Sequence, residues 1–494
     1  MKKAILKLIL LVFTLFCLAT PLQAAEPAAP THPDWATVNE VLDLIDKYPV
    51  NQPGRAGNTE NEIKNLLEAM DDPYSYYMDP SEYEAVYNGY SNNYIGIGVV
   101  FQMDERYPLV TEVFKDSPAD RAGIKPDDML IKVNGRSVAD LTSLEILARM
   151  DGRAGSKIGL TIRRSGSEDF DLTLTQELIH APAVYDKILD GQIGYIRLSQ
   201  FSAGSAYEFR NAAFAMKRQG VSKLIVDMRG NPGGLLGEAM SIANLFLKIG
   251  TPIVNIEDSD GNREVLRTSG MPILLGTPTV ILVDNLSASA SELLSGALQD
   301  HQVAVIVGER TYGKGSMQEM IPLASGAAVS VTVAKYYTPL GHQVDGIGIS
   351  PDYQVIAPEM QLVTAQKLLL PPGEDVAVFE KDSVQVMVND IPVQIGDSII
   401  EENGKVYLPL RVTFEALGYK VDWPSKDAAR NTVGVRISGF GRDVFISSIK
   451  AQNRNGLELH FVEETLYVSL EDLNLFGVSY EIDGKTIEVK KKTN

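Results

Sequence analysis

Between residues 182 and 357 the chain alternates short apolar runs with segments of helical spacing, and that alternation leaves few folds open. Ile193 to Leu198, Lys223 to Met228, Thr279 to Asp284 and Val303 to Val307 read as strands. Ala206 to Gln219, Leu236 to Leu247 and Ser291 to Gln299 carry their apolar residues at helical spacing. The runs at 223 and 279 lack polar alternation, as strands buried on both faces do. Strand and helix in turn predict an α/β domain of catalytic type.

The flanks follow other periods. With 494 residues the chain exceeds one core, and three or four domains are expected. Apolar residues at 38, 41, 42 and 45, then 63, 66, 67 and 70, predict a helical region over 33–90, broken by the turn Asp71-Asp72-Pro73-Tyr74-Ser75. From Tyr94 the period becomes that of strands, with a Asn134-Gly135 turn, a helix over Leu141 to Met150 and a further strand over Lys157 to Arg164, giving a β-rich module over 92–179. A helix from Met360 to Leu370 and Pro371-Pro372-Gly373 form a linker over 358–379. Over 380–494 the stretch Val406 to Gly418 is echoed by Leu466 to Gly477, each reading strand, short helix, glycine stop and strand, as a separate α+β module.

Lys2, Lys3 and Lys7 precede the apolar run Leu8 to Ala19 and the small residues Ala24-Ala25, the order of a cleaved secretory signal over 1–24. The run is shorter than the ~20 residues that span a bilayer. Cleavage would remove Cys17, the one cysteine, and with it any disulfide, thiolate metal site or cysteine nucleophile. It would also change the formal charge from −19 to −22, with 42 basic against 64 acidic residues. Such a surface repels nucleic acid and anionic lipid.

Ser287-Ala288-Ser289-Ala290-Ser291-Glu292 follows a buried strand and opens a helix, whose first amides are free to bind an anion. Ordinary helix capping is the plainer reading of that block. Gly308 to Ser316 looks like a phosphate-binding loop, but Gly315 stands where the metal-binding hydroxyl belongs and strand-like alternation follows. A lysine among glycines has another use: buried, its amine loses protons more readily and can act as a base toward a serine. Gln318 could orient that amine. Among five histidines, His301 ends the helix that Ser289 begins, and His342 is a weak candidate for a triad. Asp227 to Gly234 ends a strand in a glycine turn whose amides could serve an oxyanion.

These blocks, with Tyr336 to Pro339 and Gly348 to Asp352, resemble the carboxyl-terminal processing peptidases, a Ser–Lys protease family, over about residues 35–357. The resemblance implies a crotonase/ClpP-like α/β protease core over 180–357. It implies Ser289 as nucleophile, Lys314 as base, Gln318 as its orienting partner and Asp300 as a supporting residue. Oxyanion donors would be the amides of Gly233 and Ala290. The module at 92–179 looks like a PDZ domain, with Ile95-Gly96-Ile97-Gly98 capping a substrate's free C-terminus. The helical N-terminal region makes homodimers in relatives. Asp151 departs from the arginine common there.

The C-terminal module resembles the copper amine oxidase N-terminal (stalk) domain, on the stretch Val406 to Trp423. With His460 its one histidine, no copper and no other cofactor is expected. A cell-wall or envelope partner follows from analogy alone. The resulting expectation is a multidomain α/β and α+β chain acting as an exported, extracytoplasmic serine endopeptidase on proteins recognised by their C-terminal tails. A catalytically idle envelope scaffold is the alternative.

Overall fold

The computed structural model describes residues 40, 67, 70–104, 106–371, 373–427, 432–446, 459–462 and 465–491. The expected leader and most of the first two expected helices lie outside the described residues. Leu67 and Met70 are buried against Leu323, Ala327, Val329 and Val331 of the core. Within the region read as helical, Pro80–Tyr90 is a helix started by a reciprocal Asp79–Glu82 capping box with Pro80 in its first turn. Tyr76–Met78, however, is a strand, paired antiparallel with Ala328–Tyr337 at Tyr76↔Ser330. Backbone pairing to a core edge outweighs the helical spacing around it. No helix among the described residues is long and apolar enough to cross a membrane.

The β-rich module is an antiparallel sheet in the order Val99–Asp104, Tyr107–Val113, Met129–Val133, Lys157–Arg163, Phe170–Thr175. Period two explains its core: Ile158, Leu160 and Ile162 point inward from one strand against Ile146 of the helix Ser143–Met150. Val99–Asp104 is an edge strand. Asn93–Gly96 pairs with Glu177–His180, bringing the module's two ends together.

The central domain has two sheets. The larger runs Val184–Leu189, Ile193–Leu198, Lys223–Asp227, Thr279–Val283, Ala304–Gly308, Tyr353–Gln354, and is parallel after its first strand. All of Thr279–Val283 is buried, because both faces are covered. Ile281 and Val283 join a core with Phe209, Phe246 and Leu294 from the helices Ser205–Arg218, Leu236–Phe246 and Ala290–Asp300. Val280 and Leu282 join a different core, with Met360 and Val363 of the helix Pro358–Leu369 and with Leu408 and Phe414 of the C-terminal module. The second sheet is antiparallel: Ala328–Tyr337 pairs along one edge with Ser316–Pro322, and along the other with Tyr76–Met78 at its start and Pro252–Asp258 at its end.

In the C-terminal module the internal repeat is structural. Lys405–Pro409 leads into the helix Leu410–Ala416, and Thr465–Ser469 into a 3₁₀ turn at Glu471–Phe476. Gly418 and Gly477 end them with φ of 80° and 76°, which favours glycine. The two repeat strands pair with each other at Tyr407↔Ser469. The segment read as a linker is no spacer: Pro358–Leu369 lies between the large sheet and the module, and shares its core with both. An apolar pattern reports that a face is covered and leaves open by what.

Candidate active site

A cavity of about 350 Å³ opens between the second sheet, the helix Pro80–Tyr90 and the turns that precede the helices Leu236–Phe246 and Ala290–Asp300, and Ser289, Lys314, Gln318, Gly233, Ala290 and Tyr74 are among its lining residues. Ser289 stands between the buried strand Thr279–Val283 and the helix Ala290–Asp300. Its φ of +55° with ψ of −114° is a sparsely populated conformation for a residue with a side chain, held only if its surroundings insist. They do. Its N–H donates to Glu292 Oε2 at 2.8 Å, and its carbonyl accepts from the Tyr336 hydroxyl at 2.9 Å.

The same two side chains hold Lys314. Its N–H donates to Glu292 Oε2 at 2.8 Å, and its carbonyl accepts from Tyr336 at 2.6 Å, so one phenolic proton is shared between two carbonyls. Glu292 Oε1 accepts in addition from Thr311 Oγ1 and the Gly313 N–H, both at 2.6 Å. Burial pushes the Glu292 carboxyl up, and the bonds from Thr311, Gly313, Ser289 and Lys314 pull it down. Thr311 Oγ1 accepts from the Ile349 N–H, so its proton points to Glu292. With donors on every side, the ionised carboxylate fits.

Lys314 Nζ lies 4.8 Å from the centre of the Tyr74 ring. Burial lowers its pKa to about 8, against the opposing pull of Asp72 and Glu292. Ser316–Pro322 follows it as a strand, where a phosphate-binding loop needs a helix. A Cβ on Gly315 would lie 2.2 Å from the Asp345 N, so that position accepts glycine alone.

The remaining expected residues are placed unevenly. Gln318 lines the cavity, but its Nε2 donates to Ser316 Oγ at 2.9 Å and Thr332 Oγ1 at 3.2 Å. Among the described residues no hydrogen bond joins Ser289 Oγ, Lys314 Nζ and Gln318. Gly233 abuts Ser289, since a Cβ there would sit 2.8 Å from Ser289 Cβ and 2.9 Å from the Ala290 N. Its own N–H donates to Asn231 Oδ1 at 2.9 Å, whereas Ala290 opens the helix with a first-turn N–H. Asp300 is at the far end of that helix, roughly 16 Å along the axis at ~1.5 Å per residue. There it accepts from the Leu340 N–H and meets His342 Nδ1 at 3.3 Å, so neither residue touches the cavity. His301 Nε2 is engaged by the Pro252 carbonyl at 2.8 Å.

Ile95, Gly96, Ile97 and Gly98 sit at the head of the edge strand Val99–Asp104 and do not line that cavity. Gly98 has φ of +82°, and its carbonyl accepts from the Phe114 N–H at 2.9 Å. Ile95 is exposed.

Three residues escaped the sequence reading as functional groups: Glu292, Tyr336 and Tyr74. Glu292 carried a signal, the Ser-x-x-Glu spacing at a helix start. Tyr336 offers a hydroxyl from a mostly buried strand, and a buried tyrosine needs a partner. Tyr74 belongs to a turn with no distinguishing pattern.

Comparison with known proteins is consistent along the chain. Residues 192–355 match the model of peptidase family S41, 95–174 that of a PDZ domain, and 361–434 that of the copper amine oxidase N-terminal domain. A carboxy-terminal processing protease CtpA of Bacillus subtilis (strain 168) is 35% identical over 61% of this chain, and the match spans 64% of that relative's own length. A probable CtpA-like serine protease of Staphylococcus haemolyticus (strain JCSC1435) is 31% identical over 77% of this chain and 71% of its own. The solved structure of a photosystem II D1 C-terminal processing protease superposes with a TM-score of 0.43 at 28% identity, covering 65% of this chain and 93% of that one.

Proposed function

Because the chain belongs to peptidase family S41, with a PDZ domain and a copper amine oxidase N-terminal domain attached, we propose that it is a serine endopeptidase in which Lys314 activates Ser289. The observation that carries this reading is the buried Lys314 amine sharing a cavity with Ser289, both backbones fixed by Glu292 and Tyr336. Near neutral pH a useful fraction of an amine with a pKa of about 8 is uncharged and can accept a proton.

When substrate enters, the Lys314 amine takes the Ser289 Oγ proton while Oγ bonds to the scissile carbonyl carbon. The carbonyl electron pair moves onto oxygen, which the Ala290 N–H and the turn at Gly233 stabilise. Collapse of the intermediate expels the amine half of the peptide, which takes the proton from the Lys314 ammonium. Water then attacks the acyl-enzyme with Lys314 again as base, releasing the new carboxyl end and restoring the serine. Gln318 turns from Ser316 to orient the amine. Apo sites are often looser than the reacting complex, which suits the open Ser289–Lys314 geometry.

The reading includes export after cleavage of residues 1–24, capture of substrate C-termini along Val99–Asp104, a homodimer and an envelope partner for the C-terminal module. Ser289→Ala and Lys314→Ala should each abolish cleavage of an unfolded test protein. Full activity in Lys314→Ala would remove the lysine from the mechanism. The Asn231 cap on Gly233 and the turned-away Gln318 favour a second reading, an idle scaffold. Labelling of Ser289 by a serine-directed phosphonate separates the two: a scaffold stays unlabelled.

A further inference from the structure

The turn that brings Gly233 to the nucleophile starts at Asp227, which is fully buried and accepts four donors. Arg229 supplies three of them: its Nε at 2.9 Å and its N–H at 3.0 Å to Oδ1, and its Nη2 at 2.6 Å to Oδ2. The Tyr195 hydroxyl is the fourth, at 2.6 Å. The remaining guanidinium nitrogen, Nη1, points away from the site. It donates to the Pro358 carbonyl at 2.9 Å and to Gln361 Oε1 at 3.1 Å, in the first turn of Pro358–Leu369.

That turn is anchored from beyond. Gln361 is 1% exposed, and its Nε2 donates to the Val355 carbonyl. The N–H groups of Ile356 and Ala357 donate to the carboxylate of Glu415, a buried residue of the C-terminal module that Arg411 also contacts. On its other side, the turn is bound to the nucleophile block. The Asn231 carbonyl accepts from the Ala288 N–H at 3.0 Å and from Ser291 Oγ at 2.9 Å, and Ser287 Oγ donates to the Met228 carbonyl.

We propose that Arg229 is a positioning residue through which the C-terminal module, by way of Gln361 and Pro358, sets the oxyanion turn 228–234 against Ser289. A planar fork explains the choice of arginine: two nitrogens satisfy one carboxylate while the third reaches a second element, which a lysine cannot do. The proposal rests on the catalytic reading above. Its predicted signature is a loss in kcat, because the turn acts on the oxyanion rather than on substrate docking.

The test is steady-state cleavage of one fluorogenic peptide by the full-length chain carrying Arg229→Lys, Gln361→Met or both, beside Ser289→Ala. Arg229→Lys should lose at least tenfold in kcat and Gln361→Met at least threefold, with KM within twofold of the parent. The pH midpoint set by Lys314 should not move, and the double variant should be no slower than Arg229→Lys alone. Gln361→Met preserves side-chain volume and so reports even where Arg229→Lys melts early. Parental kcat in both single variants, or a loss confined to KM, overturns the link while Ser289→Ala stays inactive. Undiminished cleavage by Ser289→Ala would instead overturn the catalytic reading beneath it.

Discussion

In the proposed mechanism Lys314 accepts a proton only when it is uncharged, and its burial is what favours that form. Its folded pKa of about 8 lies below the 10.5 of a free lysine, so the charged amine weakens the folded state. The stability tied to this group is present above pH 10.5 and lost as pH falls through 8, on the order of 3 kcal/mol by pH 7. Lys314→Met should therefore be inactive yet more stable than the parent in urea at pH 7, with more than half of that advantage gone at pH 9.5. In the parent, kcat/KM should rise with pH toward a plateau, half-maximal near 8. A profile flat from pH 6 to 9 would mean that some other group takes the proton.

The turn 228–234 borders the candidate site, and a glycine in it differs from one in the helix that follows. Alanine at position 233 would meet Ser289 and Ala290 below 3 Å and sit at a φ of +101°. Gly233→Ala should lose at least a hundredfold in cleavage and about 1–3 kcal/mol of stability. Gly237, four residues on, faces open space from within the helix Leu236–Phe246. Gly237→Ala should leave cleavage unchanged and stabilise by up to ~1 kcal/mol. Equal losses in both would show that the turn does not shape the site. The strand-helix alternation, the glycine turn and the Ser289 and Lys314 blocks were legible because each is local in sequence. The clamp was not: Glu292 reaches forward to Thr311, Gly313 and Lys314, and Tyr336 reaches back to Ser289 and Lys314. Only the fold makes those residues neighbours. The strand Tyr76–Met78 was hidden for the same reason, since its pairing partner lies some 250 residues away.

At the scale of the whole molecule, the large sheet belongs to two cores at once. Val280 and Leu282 face Met360 and Phe414, while Ile281 and Val283 face the helices behind Ser289. Central domain and C-terminal module should therefore unfold together. With Trp35→Phe, emission from Trp423 reports on the module, and its urea midpoint should coincide with that of far-UV circular dichroism and of cleavage. A separate, earlier Trp423 transition would show a loosely attached module. A chain cut after residue 357 would bare Ile193, Ile225, Val280, Leu282 and Val307 to water, at about 1.5–3 kcal/mol for each fully buried side chain. Such a fragment, the central domain as its sequence delimits it, would come out of the cell as sediment. What looks like an accessory tail is part of the wall that keeps the central domain dissolved.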